Sequence, residues 1–232
     1  MIDKRPFDTL GQHDFGWLDA RYHFSFSSYM NRNRMGWGAL RVWNDDTIAA
    51  DNGFPTHPHR DMEIITYVRQ GAITHRDSMG NEGRTEAGDV QVMSAGTGIQ
   101  HSEFNRETEA TRLFQIWLTP AKPGGEPRWE QARFPTKNRA GQLTTLASGN
   151  PDKEGGLLIR QDAKILGANL AAGQTAQYAL EAGRHAYLVV AAGTIILNGV
   201  QLDVRDGAAI RDENTLNISA SSDAELVLVD SV

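Results

Sequence analysis

An all-β chain built of two similar barrels is predicted by three features of the sequence. Short apolar or alternating runs recur along all 232 residues between Gly, Asn, Asp and Pro clusters, which is the pattern of sandwiches and barrels. No long stretch carries helical periodicity. The second half also repeats parts of the first. Ile65…Gly71-Ala-Ile73 resembles Tyr187…Gly193-Thr-Ile195, and Ala87-Gly88-Asp89-Val90 resembles Asp206-Gly207-Ala208-Ala209.

Taken in chain order, strands are expected near 38–43, 63–68, 72–75, 90–93 and 113–118, then near 157–160, 187–190, 194–197 and 226–229. The paired acids Asp45-Asp46 read as turn residues, and Asp77-Ser-Met-Gly80-Asn81 reads as a longer turn. Residues 128–133 read as a single helical turn. Pro120, Pro123, Gly124, Gly125, Pro127 and Pro135 interrupt regular structure between the halves, so the expected domains are residues 1–134 and 135–232. Asn198-Gly199, between Ile195-Ile196-Leu197 and Val200-Gln201-Leu202, predicts a two-residue hairpin.

Hydrophobic residues make up 40% and charged residues 22%, the composition of an ordinary folded protein. No apolar run is long enough to cross a bilayer, and no basic-then-apolar leader pattern is present. Cysteine is absent, so neither disulfides nor thiolate chemistry are available. A cytoplasmic protein with no membrane association is expected. Net charge is −6, and the basic residues Lys122, Arg128, Arg133, Lys137 and Arg139 are diluted by Glu126 and Glu130. A nucleic-acid binder needs a basic footprint to neutralise phosphates; direct DNA or RNA contact is not expected.

The chemistry is concentrated in two short segments. In His57-Pro-His59 the two imidazoles are two residues apart, so on an extended chain they share a face and reach one ion. Taken alone, such a pair is more simply a solvated surface feature. His101-Ser-Glu103 repeats the geometry on a separate segment, after the turn Gly96-Thr-Gly98 that lets the chain bend sharply. Three imidazoles and a carboxylate suit a first-row divalent transition metal, with positions left for water, substrate or dioxygen. Structural zinc sites are more often closed by four ligands, commonly thiolates. His75, on a strand ending at Asp77, is a candidate for orienting a ligand. Phe54 flanks His57 and is a candidate pocket wall for a planar substrate. His13, His23 and His185 read as packing or isolated histidines. Trp37, Trp43, Phe104, Phe114 and Trp117 read as barrel core or wall. Gly96-Thr-Gly98 opens no strand–loop–helix unit and so is no phosphate loop. Ser94 and Ser102 near His101 lack the buried carboxylate that a nucleophilic triad requires.

Gly53, His57, His59, Glu63 and Gly71 resemble the first cupin motif, and Gly88, Gly96, Gly98, His101 and Asn105 the second. More narrowly, the stretches 54–63, 77–81 and 93–105, together with His23-Phe-Ser-Phe26, resemble the pirin family, and within it the bacterial members described as quercetinases. The resemblance implies a bicupin, with two jelly-roll barrels in one chain. In general cupins the first-motif glutamate, here Glu63, is the acidic ligand. In pirin-like proteins the acid follows the second-motif histidine, here Glu103. Four residues of straight strand also put Glu63 ~13 Å from His59. The expected ligands are therefore His57, His59, His101 and Glu103, with Glu63 supporting them. Matching Gly193 to Gly71 puts Ala179, Glu181 and His185 at the positions of His57, His59 and Glu63. Matching Gly207 to Gly88 puts Ala220 and Ser222 at those of His101 and Glu103, so no metal is expected in the second barrel.

The resemblance implies a metal-dependent dioxygenase acting on a flavonol such as quercetin, with Glu103 as the catalytic base and a small aromatic molecule and dioxygen as substrates. The ion is one of iron(II), copper, zinc, nickel, cobalt or manganese; spacing does not choose among them. As alternatives, it also covers a non-catalytic, redox-sensitive co-regulator that binds partner proteins, and a cupin enzyme acting on another small substrate. A roomy, aromatic-lined pocket above the ion would favour an enzyme.

Overall fold

The computed structural model describes residues 1–134 and 140–232. One seven-stranded sheet comprises, in spatial order, Arg128–Ala132, Val90–Ser94, Glu63–Gln70, Thr111–Leu118, Leu40–Ile48, Leu18–Tyr22 and Gly11–Asp14. A four-stranded sheet of Gly53–His59, Ile99–Phe104, Ala72–Asp77 and Glu82–Glu86 covers its outer face. The second half repeats the plan. Its larger sheet runs Ile2–Arg5, Gly207–Arg211, His185–Ala192, Ala224–Ser231, Ala163–Leu170, Thr144–Ser148 and Leu157–Leu158. Thr175–Ala179, Thr215–Ala220, Ile195–Leu197 and Val200–Leu202 form the smaller one. Among the described residues no helix is long and apolar enough to cross a membrane.

The two larger sheets face one another, which explains why their strands read as nearly continuous apolar runs: both faces are covered. Alternate side chains go to different cores. Trp43, Ile65, Tyr67, Val92, Phe114 and Ile116 meet Ile165, Tyr187, Val189, Val227 and Val229 of the other half. Their strand neighbours Ala20, Tyr22, Ile48, Val68 and Leu113 turn into the first barrel. At the seam Asp45 is fully buried and accepts hydrogen bonds from Arg69 and from Arg205 Nε, the latter at 2.6 Å. His23 Nδ1 meets Tyr187 Oη there at 2.9 Å.

Several expectations change. Asp45 and Asp46 are not turn residues; they lie within Leu40–Ile48 and are buried on its opposite faces. Residues 128–133 do not form a helical turn. Val90–Ser94 offers an open edge, and Arg128–Ala132 pairs with it, Trp129 opposite Met93. That pairing supplies ladder hydrogen bonds and seats Trp129 against Ile64, Met93, Ala95 and Ile99. One strand of the first half also crosses over. Ile2–Arg5 pairs with Gly207–Arg211 of the other half, at the place that Arg128–Ala132 holds in the first sheet. Residue 135 and those through 139, including Pro135, Lys137 and Arg139 and the expected start of the second domain, lie outside the described residues.

The internal repeat is visible in the sheets, but with one shift. Gly71 and Gly193 occupy equivalent turns at φ 75° and 76°. Gly88, however, corresponds to Arg205 rather than Gly207: Gly88 N donates to Val68 O, and Arg205 N to Val190 O, in the same turn. In the first barrel Glu103 lies opposite His75; the equivalent pair in the second is Ile218 opposite Leu197. Leu216 and Ile218, not Ala220 and Ser222, thus take the places of His101 and Glu103. These positions belong to an aliphatic core of Leu, Ile, Val and Ala that fills the second barrel. The expected hairpin is present, with Asn198 and Gly199 at φ 44° and 86° joining Ile195–Leu197 to Val200–Leu202, as a turn with two positive φ values requires.

Candidate metal centre

Two neighbouring strands of the smaller sheet carry the histidines. Gly53–His59 pairs antiparallel with Ile99–Phe104, placing His57 directly opposite His101. The pairing slips between His101 and Glu103, so that Glu103 faces Phe54, and Pro55, which has no N–H to give a ladder, sits within the slip. The turn before His101 is tight: a Cβ on Gly96 would lie 2.2 Å from the carbonyl oxygen of Gly125, and Gly96 sits at φ 50°. Only glycine fits there.

The ligand atoms of His57, His59 and His101 all lie within 4.8 Å of one another. Each ring is presented by its surroundings. His57 Nδ1 lies 2.7 Å from the carbonyl oxygen of Pro55; a carbonyl can only accept, so this nitrogen donates and Nε2 is the one left to face an ion. His101 is held by a longer relay. Asp77 is anchored by Asn81 and by the backbone N–H of Met79. His75 Nε2 donates to Asp77 Oδ2 at 3.1 Å, and His75 Nδ1 lies 3.4 Å from His101 Nδ1. With its Nε2 protonated, neutral His75 can only accept at Nδ1, so His101 Nδ1 carries a proton and His101 Nε2 is bare. The ring of His75 stacks on Trp129, centroids 4.8 Å apart and planes 7° apart. His59 packs edge-on against Trp117.

Among the described residues, His59 Nε2 and His101 Nε2 are buried and have no hydrogen-bond partner. Burial, with the neighbouring histidines, lowers the pKa of His59 to about 4 and of His101 to about 2. Burial also lowers that of His75, against the pull of Asp77. These rings are neutral, the form that ligates a metal. Orphaned nitrogens on converging neutral rings are the donor set that a divalent transition ion requires.

The acids stand differently. Glu103 is buried and groups with His75 and His101 rather than with the other two histidines. Its Oε1 accepts from Thr66 Oγ1 at 3.2 Å and Gln91 Nε2 at 2.6 Å, and its Oε2 from Gln115 Nε2 at 2.6 Å. Burial raises its pKa to about 7, although these three donors oppose the rise. Glu63 takes no part in the histidine cluster. It begins a strand of the larger sheet, where its carboxylate accepts from Ser94 Oγ at 2.6 Å and from the backbone N–H of Arg160, in the second half, at 3.0 Å. His57, His59, His101 and Glu103 line a cavity of about 440 Å³ whose aromatic walls include Phe15, Trp17, Phe26, Phe54 and Trp117. Thr66, Gln91 and Gln115 went unidentified in the sequence, as did Asn44 and Asp46 in the same barrel. Thr66, Gln91 and Gln115 carry a signal in the sequence, each being a polar residue inside an apolar strand run, whereas Asn44 and Asp46 sit in a polar stretch, Asn44-Asp-Asp-Thr47.

A family model for pirin matches residues 4–118, and one described as the quercetinase C-terminal cupin domain matches residues 145–231. A pirin-like protein of Caulobacter vibrioides is 61% identical over 99% of this chain and 99% of its own. A quercetin 2,3-dioxygenase of Escherichia coli K12 is 43% identical over 99% of this chain and 98% of its own. A solved structure described as the bacterial pirin YhhW of Escherichia coli in complex with nickel(II) superposes with a TM-score of 0.93 at 42% identity, covering 100% of this chain and 99% of that one.

Proposed function

The chain belongs to the pirin family, and from that premise we propose that it is a metal-dependent dioxygenase that opens the central ring of a flavonol such as quercetin. The observation that carries this reading is the convergence of His57, His59 and His101, with the Nε2 atoms of His59 and His101 buried and without a partner among the described residues, at the wall of an aromatic cavity large enough for such a molecule. That cavity also favours an enzyme over a module whose only task is to bind partner proteins. Two relatives point the same way: one is named for quercetin dioxygenation and another holds nickel(II).

In this reading His57, His59 and His101 hold the ion. When bound, it supplies Lewis acidity toward a substrate hydroxyl and a place for dioxygen. Glu103 is the base. A carboxylate with a pKa near neutrality is poised to take the 3-hydroxyl proton of a flavonol and return it later. Thr66, Gln91 and Gln115 hold that carboxylate in one orientation, and for Glu103 to serve also as a fourth ligand it exchanges one of these hydrogen bonds. Phe54, Trp17 and Trp117 flank the planar rings and keep water from the reacting carbons. One molecule of dioxygen is consumed for each carbon monoxide released. With the domains divided after residue 134, the first holds all of these residues.

The test is to load apo-protein separately with each of iron(II), copper, zinc, nickel, cobalt and manganese and follow quercetin loss and carbon monoxide release in air. Turnover is expected to require metal, and Glu103→Gln is expected to lower kcat by about 10²–10⁴-fold with metal content unchanged. No turnover with any ion at full occupancy would refute the reading.

A further inference from the structure

The cavity contains two carboxyl groups in opposite situations. Glu103 accepts three hydrogen bonds. Asp46 also lines the cavity, yet it is 2% exposed and its Oδ1 has no hydrogen-bond partner among the described residues. Two residues earlier on the same strand, Asn44 lines the cavity as well, and its Oδ1 is likewise buried and unpartnered. The strand's parity explains the pairing. Asn44 and Asp46 share the face that looks into the barrel, while Trp43 and Asp45 look toward the other half, where Asp45 is fully engaged by Arg69 and Arg205. Among the described residues Asp46 forms no ion pair.

Unpartnered buried acceptors are costly, so each calls for a reason, and a ligand that completes the acceptor supplies one. Burial, followed by the charges of Asp45 and Glu103, pushes the Asp46 carboxyl well above the usual carboxylate range. Asp46 is thereby favoured as a neutral acid, offering one O–H donor and one acceptor, and Asn44 Oδ1 offers a second acceptor. The group that complements this set is a hydroxyl, which both donates and accepts. An unsubstituted aromatic ring would satisfy the apolar walls but leave both oxygens orphaned. We infer that Asn44 and Asp46 determine the substrate specificity of the cavity, binding a second phenolic hydroxyl distinct from the one that Glu103 deprotonates. The inference rests on the flavonol reading for its choice of ligands.

It is tested with nickel-loaded protein and two flavonols. Quercetin carries several phenolic hydroxyls; 3-hydroxyflavone keeps the 3-hydroxyl and lacks the others. Kd is measured without dioxygen by ligand fluorescence, and kcat and KM are measured in air. Wild-type protein is expected to prefer quercetin. Asp46→Leu and Asn44→Leu are each expected to weaken quercetin binding roughly 10-fold or more while changing 3-hydroxyflavone binding far less. Asp46→Asn, which retains a donor and an acceptor, is expected to keep the preference. A purely structural role would shift both ligands together and lower Tm, whereas replacing an unpaired buried acid by an apolar side chain should not lower it. Equal losses for both ligands in the two leucine variants, or no preference in wild type, would overturn the inference. Preferential binding of quercetin without turnover under any metal would leave the recognition standing and refute flavonol cleavage. Turnover without preference would do the reverse.

Discussion

Asp77 acts on the candidate metal centre from two side chains away. It fixes the tautomer of His75, and His75 fixes that of His101, so the bare Nε2 of His101 faces its partners without a search among rotamers or tautomers. Partners of this kind set ligand basicity and orientation, and removing them typically costs about 10–100-fold in metal affinity. Asp77→Asn is therefore expected to weaken metal binding by about that factor, read by competition with a chelating dye, with the fold retained. Unchanged affinity would show that stacking on Trp129 alone holds the His75–His101 pair. The relay was half visible in sequence: His75 and Asp77 have the same parity, but nothing local says that His75 meets His101 across a strand pair.

At the scale of elements, the ligands are delivered by a slipped strand pair and one tight turn. Gly96 lies against the carbonyl of Gly125, the same oxygen that accepts from Thr97 N at 2.9 Å. Ala at this position meets that oxygen and must also hold a positive φ. The combined cost is expected to be about 2–5 kcal/mol, measured by urea unfolding of Gly96→Ala against wild type. A cost near zero would mean that the segment 124–126 moves away freely. The glycines of this turn were recognised in sequence as a bend before the ligands. The neighbour that makes glycine necessary was not, because it lies in the linker between the halves.

At the scale of the molecule, the two larger sheets share one core, and that seam is where His23 lies. Burial, reinforced by the positive charges of Arg5, Arg34, Arg205 and Arg69, holds its pKa well below the ordinary 6.5. As pH falls through that value the unfolded chain takes up a proton on this ring and the folded protein does not. The stability carried by neutral His23 is thus present above pH 6.5 and declines below it. Between about pH 7 and about pH 5, His23→Leu is expected to lose less stability than wild type, by up to about 2 kcal/mol, read from Tm across the range. Parallel slopes for the two proteins would exclude His23 as a source of the acid sensitivity.

The sequence by itself determined the β character, the repeat about Gly71 and Gly193, and the two ligand-bearing segments, because each depends on the two-residue period of a single strand. That period places His57 with His59 and His101 with Glu103 on common faces whatever the chain does elsewhere. Only the tertiary structure decided which face meets what. It buried Asp45 and Asp46 in different surroundings one residue apart, and it assembled Thr66, Gln91 and Gln115 from three strands around one carboxylate. It also moved Glu63 to the seam and lent Ile2–Arg5 to the other half's sheet. Each of these is a contact between residues far apart in the chain, fixed by which strands become neighbours, and no local pattern of side chains carries that information.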